Sequence, residues 1–174
     1  MTQPPLLSLQ DVQLAYRALP VLRHINWQIH RGQQWACLGP NGAGKTSLAN
    51  IISGQASHYS GEYQASSTLA QRGVAYVCFE QAKALCERDR KLDDSETRAD
   101  AADPGTLVRQ VILGRHAAHE RFHHWVTRLG IGHILDRGLR YISTGEMRKT
   151  LLIKAILSEP ALLILDSPLD GLDA

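Results

Sequence analysis

The sequence has little of several features that mark special classes of protein. It contains three cysteines, Cys37, Cys78 and Cys86, and none of them forms a C-x-x-C pair. We therefore expect reduced thiols in a cytosolic protein, not a disulfide framework or a zinc site. No apolar run approaches the roughly 20 residues that a membrane-spanning helix needs. The N-terminal stretch MTQPPLLSLQ lacks a basic start and a long apolar segment, so it is not predicted to be a secretory signal.

An excess of charge of one sign is also missing. The 174 residues carry a formal net charge of +2, with 21% charged and 44% hydrophobic residues, which is ordinary for a globular protein. So small a positive excess, without an interleaved basic and aromatic patch, argues against a nucleic-acid partner. The length is enough for one sizeable domain and does not clearly indicate two.

Alternating and helical patterns along the chain predict an α/β protein. Strands are expected at residues 6–16, 21–30, 33–38, 61–67, 74–79 and 161–166, with a turn at Leu19-Pro20 between the first two. Helices are expected at 47–53, around 107–112, at 122–129 and at 144–157. The charge-dense stretch 82–104 is interpreted as a solvated excursion between subdomains.

A glycine-rich stretch, GPNGAGKTS, follows the apolar segment WACL and precedes a predicted helix. It fits G-x-x-x-x-G-K-[ST] in the strand–loop–helix context that the motif requires, whereas an accidental match is expected in roughly 1% of chains of this size. Glycines let backbone N–H groups converge on phosphate oxygens, and the helix N-terminus adds its positive dipole end. Lys45 would reach the terminal phosphates, and the Thr46 hydroxyl would bind Mg²⁺. The predicted nucleotide contacts of the loop are Gly39, Pro40, Asn41, Gly42, Ala43, Gly44, Lys45, Thr46 and Ser47.

The apolar run LLILD places Asp166 at the tip of a predicted buried strand. Taken alone, this segment is a core strand that ends in an aspartate. A P-loop, however, needs a distant acidic residue to complete the magnesium shell. We therefore predict that Asp166 and Thr46 bind Mg²⁺ together.

The order of the motifs GPNGAGKT, FEQ, YISTGEMRKTLLIKAIL and LLILDSPLDGLD resembles the nucleotide-binding domain of an ABC ATPase over nearly the whole chain. STGE, RKTLL and DGLD are most similar to the ModF/PhrA-like group, which are cytoplasmic tandem ABC ATPases associated with molybdenum transport; the chain would match the first half. The resemblance implies an α/β P-loop NTPase fold. It also implies an N-terminal antiparallel β subdomain and a helical subdomain inserted at about residues 82–142.

The resemblance assigns roles to residues outside the P-loop. Tyr16 would stack on adenine, although a plain strand tyrosine is the alternative. Gln81 would touch magnesium and the attacking water, and the loop 170–173 would communicate with a second domain. The implied catalytic positions are Lys45, Gln81, Asp166 and Ser167, and the implied metal ligands are Thr46, Gln81 and Asp166.

The segment Ser143, Thr144, Gly145 and Glu146 matches the family's signature motif in a changed form, with I-S-T-G-E in place of L-S-G-G-Q. In the family this segment contacts the γ-phosphate of ATP bound on an opposing domain, so that two domains sandwich two nucleotides. Ser-x-x-Glu is also a capping box, in which Glu146 reaches back to the Ser143 N–H, and both roles stay open. A carboxylate this close to a phosphate would repel it unless it is turned away or screened.

Ser167 occupies the position at which active ABC domains carry a glutamate that polarises the attacking water. A serine hydroxyl is a poor general base, and loss of such a group typically costs roughly 10²–10⁴ in rate. A degenerate site, an engineered substitution and a sequence error are the open explanations. Two functions follow: an ATPase domain that couples hydrolysis to closure against a second domain in molybdate-related transport, or a regulatory ATP-binding module with little hydrolysis.

The resemblance also bears on the extent of the domain and on its partners. We expect residues 1–174 to form one ABC domain that is incomplete at its C-terminus, without further core strands and a switch histidine, and with apolar edges exposed. The expected ligands are ATP and Mg²⁺. The expected partners are a second ABC domain and a membrane permease, in the cytoplasm or peripherally at the inner membrane face.

Four histidines cluster in RHAAHERFHHW, at His116, His119, His123 and His124. His119 and His123 have the i, i+4 spacing of a helical metal pair. The alternative is a solvated polar face opposite Phe122, Trp125 and Val126, and the sequence favours it.

Overall fold

The computed structural model describes residues 4–78, 84–89, 105–114 and 118–167. The described strands are β1 Leu7–Tyr16, β2 Leu19–Ile29, β3 Ser60–Ala65, β4 Val74–Val77 and β5 Leu162–Leu165. The described helices are α1 Lys45–Ile52, α2 Ser67–Arg72, α3 (84–89), α4 Val108–Leu113, α5 Glu120–Leu129 and α6 Thr144–Leu157, with 3-10 turns at Gly132–Ile134 and Leu139–Tyr141. None of these helices is both long and apolar enough to span a membrane.

The chain forms two compact units. The first, the sheet unit, comprises Met1–Tyr76 and Pro160–Ile164, and the second, the helical unit, comprises Val77–Glu159 and Leu165–Ala174. Each unit buries its own cluster of apolar side chains. Together they give the α/β composition that the sequence predicts.

The sheet unit is built on a three-stranded antiparallel sheet in the order β2-β1-β3. Aliphatic side chains of β1 face α1 and α2 across the core because successive side chains of a strand point to opposite faces. The buried members are Leu6, Leu7, Leu9, Val12, Leu14, Leu22, Ile29, Ile51, Ile52 and Leu69. This sheet confirms the predicted antiparallel β portion near the N-terminus.

The turn between β1 and β2 lies two residues earlier than the sequence indicates. Tyr16 pairs with Leu19, so the loop consists of Arg17 and Ala18, whose φ angles are +48° and +67°. Two-residue hairpin loops of this kind need positive φ at both positions, and proline cannot adopt that conformation. Pro20 instead lies in β2, an edge strand, where a missing N–H donor is tolerated.

The strand predicted at 33–38 does not form, and this prediction is wrong. Residues 33–40 have no strand assignment and are exposed; Leu38 is 92% and Trp35 56% exposed. The apolar composition of QQWACL satisfies the side-chain pattern of a core strand, but a strand also needs a neighbour to take its backbone hydrogen bonds. Among the described residues the other strands pair only with one another, in the sheets β2-β1-β3 and β4-β5.

The second sheet pairs β4 with β5. The Ala161 N–H donates to the Gly73 carbonyl (3.0 Å) and the Asp166 N–H donates to the Val77 carbonyl (2.9 Å), so the two strands run in the same direction. β4 ends at Val77, two residues before the predicted end at Phe79, which lies outside the described residues. β5 confirms the strand predicted before Asp166.

In the helical unit, α4, α5 and α6 pack around a common apolar cluster. Helical periodicity predicts all three: Val108, Val111 and Ile112 are buried on α4, and Phe122 and Val126 on α5. The remaining buried members are Ile131, Ile134, Leu139, Met147, Leu151 and Ile153. α6 begins and ends at the residues that the sequence predicts, Thr144 and Leu157.

Candidate nucleotide site and signature helix

The glycine loop leads directly into α1 and is held by its own backbone. The Ala43 N–H donates to the Pro40 carbonyl (3.2 Å), and Gly42 and Gly44 have φ angles of +83° and +87°. Gly44 also packs closely against β2, since a Cβ on it would lie 2.8 Å from Cδ2 of Leu22. The glycine at this position is therefore required by both conformation and space.

Lys45 turns back over the loop that precedes it. Its Nζ donates to the carbonyl oxygens of Gly39 (2.8 Å) and Pro40 (2.9 Å). An ammonium has three donors, so one N–H remains for an incoming oxyanion. The loop thus holds the Lys45 ammonium against its own backbone carbonyls.

The N-terminus of α1 has no cap of its own. The N-cap residue Gly44 offers no side-chain acceptor, and the first turn contains no acidic residue. The first N–H groups of the eight-residue helix therefore lack an acceptor among the described residues and coincide with the positive end of the helix dipole. Thr46 is exposed at this turn and Ser47 is half-buried.

A cavity of about 530 Å³ lies in the sheet unit, and none of residues 39–47 lines it. It is lined by residues of β1 and β2 and by residues 57–60, and it shares Leu22 with the Gly44 contact. Tyr16, the predicted adenine-stacking residue, ends β1 and is 52% exposed. Its aromatic face is therefore accessible in the unit that carries the P-loop. The sequence did not indicate the cavity, because its walls come from segments about 40 residues apart.

The predicted magnesium ligand and its neighbour lie at the end of β5. Asp166 is half-buried and its N–H is bonded to Val77. Ser167 follows it with a φ of +50° and is exposed. Gln81 and the loop 170–173 lie outside the described residues.

The signature segment forms the N-terminus of α6, and the capping box predicted for it is present. The Glu146 carboxylate oxygen Oε2 accepts from the Ser143 N–H (2.7 Å) and from its hydroxyl (2.8 Å), while the Ser143 Oγ accepts from the Glu146 N–H (3.2 Å). These bonds to the charged form lower the pKa of Glu146 below its ordinary value, the Ser143 backbone N–H having the largest effect.

His133 is a member of this group that sequence reasoning missed. Its Nε2–H donates to the other carboxylate oxygen of Glu146, Oε1, at 3.1 Å. His133 lies in the 3-10 turn Gly132–Ile134, 13 residues before Glu146, so no helical or strand spacing connects the two. One hydrogen-bonded group at the N-terminus of α6 thus contains Ser143, Glu146 and His133.

The histidine cluster does not assemble a metal site among the described residues. Within them no group of three or more His, Cys, Asp or Glu side chains is placed to hold a metal ion. His119 is the extended N-cap of α5, and His123 stacks edge-on against Phe122 at 5.2 Å between ring centroids. His116 lies outside the described residues. The polar side of α5 accounts for His123 and His124, which are both exposed.

A glycine loop clamped by a lysine and followed by an uncapped helix defines a P-loop nucleotide-binding protein. A family profile described as ABC transporter matches residues 22–170, and the chain belongs to this family. The chain is 36% identical over 169 residues to the ABC transporter ATP-binding protein ModF of Escherichia coli K12, covering 95% of the chain and 34% of that protein. It is 32% identical over 170 residues to the zinc import ATP-binding protein ZnuC of Saccharophagus degradans, covering 97% and 60%.

Solved structures agree on the fold. The chain superposes on cbiO1 from Clostridium perfringens, part of the ABC transporter complex cbiONQ, with a TM-score of 0.66 at 24% identity, covering 98% of the chain and 68% of that chain. It superposes on a structure described as a metal-chelate type ABC transporter, in an inward-facing conformation, with a TM-score of 0.67 at 19% identity, covering 98% and 63%. The chain therefore has the fold of the ABC ATP-binding domain and spans about a third to two thirds of the length of these proteins.

Proposed function

We propose that the chain binds MgATP at its P-loop and that binding and hydrolysis are coupled to closure against a second ABC domain. The observation that supports this function is the phosphate cradle of residues 39–47. In it the Lys45 ammonium bonds the carbonyls of Gly39 and Pro40, and the N-terminus of α1 has no side-chain cap. A triphosphate supplies the negative oxygens that both groups lack.

The residues proposed as metal ligands supply the kind of oxygen donors that suit Mg²⁺. The Thr46 hydroxyl is exposed in the first turn of α1, and Asp166 supplies a carboxylate at the end of β5. Hydroxyl, carboxylate and phosphate oxygens are the ligands that Mg²⁺ prefers. When bound, the ion would offset the charge of the terminal phosphates; Thr46, Asp166 and Gln81 are the proposed ligands, with Tyr16 against the adenine.

The proposed partners follow from the signature segment. Ser143, Thr144 and Gly145 would contact the γ-phosphate of a nucleotide held by a second ABC domain, in the cytoplasm or beside a membrane permease. The resemblance of the signature segment to the molybdenum-associated ModF/PhrA-like group supports a molybdate-related transport process, whereas the similarity to ZnuC supports zinc import. We favour the first, because the identity to ModF is higher over a similar length.

Replacement of Lys45 by alanine tests ATP binding directly. The change removes the ammonium and its two bonds to the loop carbonyls, so we expect MgATP affinity to fall at least about tenfold. Isothermal titration calorimetry measures the affinity, and circular dichroism confirms folding. Lys149→Ala is the matched control, because Lys149 is an exposed lysine on α6. Unchanged affinity in folded Lys45→Ala protein contradicts the proposal.

Ser167 favours a second candidate, a regulatory ATP-binding module with little hydrolysis. Its hydroxyl is a poor general base, so Ser167→Glu should raise phosphate release by about 10²-fold if the remaining groups are in place. Ser167→Gln is the control, since it has similar size without the charge. A gain for glutamate alone supports a disabled site, whereas equal rates for all three proteins mean that hydrolysis uses another base.

A further inference from the structure

Three residues form a group that we name the carboxylate clasp: His133, Ser143 and Glu146. Glu146 uses one carboxylate oxygen for both donors of Ser143 and the other for His133. An ionised carboxylate only accepts, so His133 must present a protonated Nε2 to it. Glu146 is therefore anchored from two sides, by its own helix and by the turn Gly132–Ile134.

The carboxylate clasp determines which hydrogen-bond donors at the N-terminus of α6 are available to an anion. The Ser143 hydroxyl proton points to Glu146, while the N–H groups of Thr144 and Gly145 have no acceptor among the described residues. A Cβ on Gly145 would meet no atom outside its own turn of helix within 4 Å, so the space on that side of Gly145 is open. A phosphate at this place therefore finds two free donors, one occupied hydroxyl and one nearby negative charge.

We propose that His133 is a positioning residue for the signature segment, acting through Glu146. The inference rests on the proposed sandwich with a second ABC domain. When a γ-phosphate approaches, the Ser143 hydroxyl turns to it, and Glu146 keeps its bonds to the Ser143 N–H and to His133. Through its hydrogen bond to Oε1, His133 thus holds the carboxylate away from the approaching phosphate.

Several charged side chains on the elements around Glu146 are paired with other residues and not with Glu146. On the neighbouring elements, Arg109 of α4 pairs with Asp136 after the 3-10 turn, and Arg121 of α5 pairs with Glu159. Arg140 before the signature segment pairs with Asp89. The other charged or titratable groups of these elements are Glu120, His123, His124, Arg128, Arg137, Tyr141, Arg148, Lys149 and Lys154. Among the described side chains, His133 is the ionisable one that bonds Glu146.

Association driven by MgATP, measured by light scattering on the full chain, tests the inference with four variants. His133→Ala removes the anchor and should weaken association about fivefold to tenfold. His133→Gln keeps a hydrogen-bond donor without the imidazole ring. Its association should therefore be stronger than that of His133→Ala and weaker than that of the unchanged chain. Glu146→Gln removes the repelling charge, so His133→Ala should have no further effect in that background. Isothermal titration of ATP to each variant should show unchanged P-loop affinity, because the clasp is remote in sequence from residues 39–47.

The rescue variant and the double variant separate positioning from a merely structural role. If His133 only stabilised the fold, His133→Ala would weaken association by the same factor with and without Glu146→Gln, and His133→Gln would not restore part of it. Association that depends on MgATP but is equal in all variants overturns the inference alone. No MgATP-dependent association of the unchanged chain overturns the sandwich and the inference together, although ATP binding would stand.

Discussion

At the scale of single residues, two ion pairs of the helical unit differ sharply in burial. The side chains of Arg140 and Asp89 are 9% and 4% exposed, with Nε and Oδ2 3.1 Å apart. The second carboxylate oxygen of Asp89 accepts from the Thr106 N–H at 2.7 Å. Arg109 and Asp136, in contrast, are 47% and 72% exposed. The buried pair joins α3 to the start of the α4 segment and to the 3-10 turn before the signature helix.

Removal of one buried partner should be far more costly than removal of one exposed partner. Asp89→Ala leaves a buried guanidinium without its carboxylate, and we expect the free energy of unfolding to fall by about 3–5 kcal/mol. Asp136→Ala, the matched control, should change it by less than about 1 kcal/mol. Urea unfolding followed by circular dichroism measures both. Similar losses for the two variants would mean that Asp89 is effectively solvated.

At the scale of one element, the cap of α6 should make stability depend on pH. The folded pKa of Glu146 lies below its ordinary value of 4.5, chiefly because the Ser143 N–H donates to the carboxylate. A depressed carboxyl pKa contributes stability that is fully present above the ordinary value and is lost as pH falls through the folded value. The cap therefore supports α6 at neutral pH and weakens in acid.

Comparison of the unchanged chain with Glu146→Gln isolates this contribution. We expect the stability difference to be constant above about pH 5.5 and to shrink steadily as the pH is lowered below about 4.5. Thermal unfolding at a series of pH values measures it. Glu120→Gln is the control, because Glu120 lies in the first turn of α5, whose N-cap residue makes no side-chain hydrogen bond. If the stability difference between the unchanged chain and Glu146→Gln grew as the pH was lowered, the carboxylate would not be acting in the capping box.

Local patterns predicted the elements whose determinants lie within a few residues. α6, its capping box and the amphipathic α5 follow from i, i+3 and i, i+4 spacing. The turn at Arg17-Ala18 was missed because arginine and alanine are not residue types that indicate a positive φ. The bond from His133 to Glu146 was missed because it joins segments that only the tertiary fold brings together. The prediction of a strand at 33–38 was wrong for a related reason, because a strand forms only where a neighbouring strand takes its backbone hydrogen bonds.

At the scale of the whole molecule, apolar side chains remain exposed on β5 and in the segment before the P-loop. Leu163 and Leu165 are 36% and 42% exposed, whereas Leu162 and Ile164, on the other face of the strand, pack into the sheet unit's core. Parallel strands of α/β proteins are normally covered on both faces. One face of β5 therefore leaves apolar side chains exposed, and such surfaces promote association.

The open face of β5 predicts opposite outcomes for two adjacent leucines. Leu163→Lys places a charge on the exposed face, so concentration-dependent light scattering should fall while the unfolding midpoint in urea changes little. Leu162→Lys is the same substitution on the packed face, where an amine must be buried, and we expect it to lower the free energy of unfolding by more than about 2 kcal/mol. Scattering that is unchanged by Leu163→Lys would show that β5 is not the surface through which the chain associates. Equal destabilisation by both substitutions would mean that the two faces of the strand are covered alike.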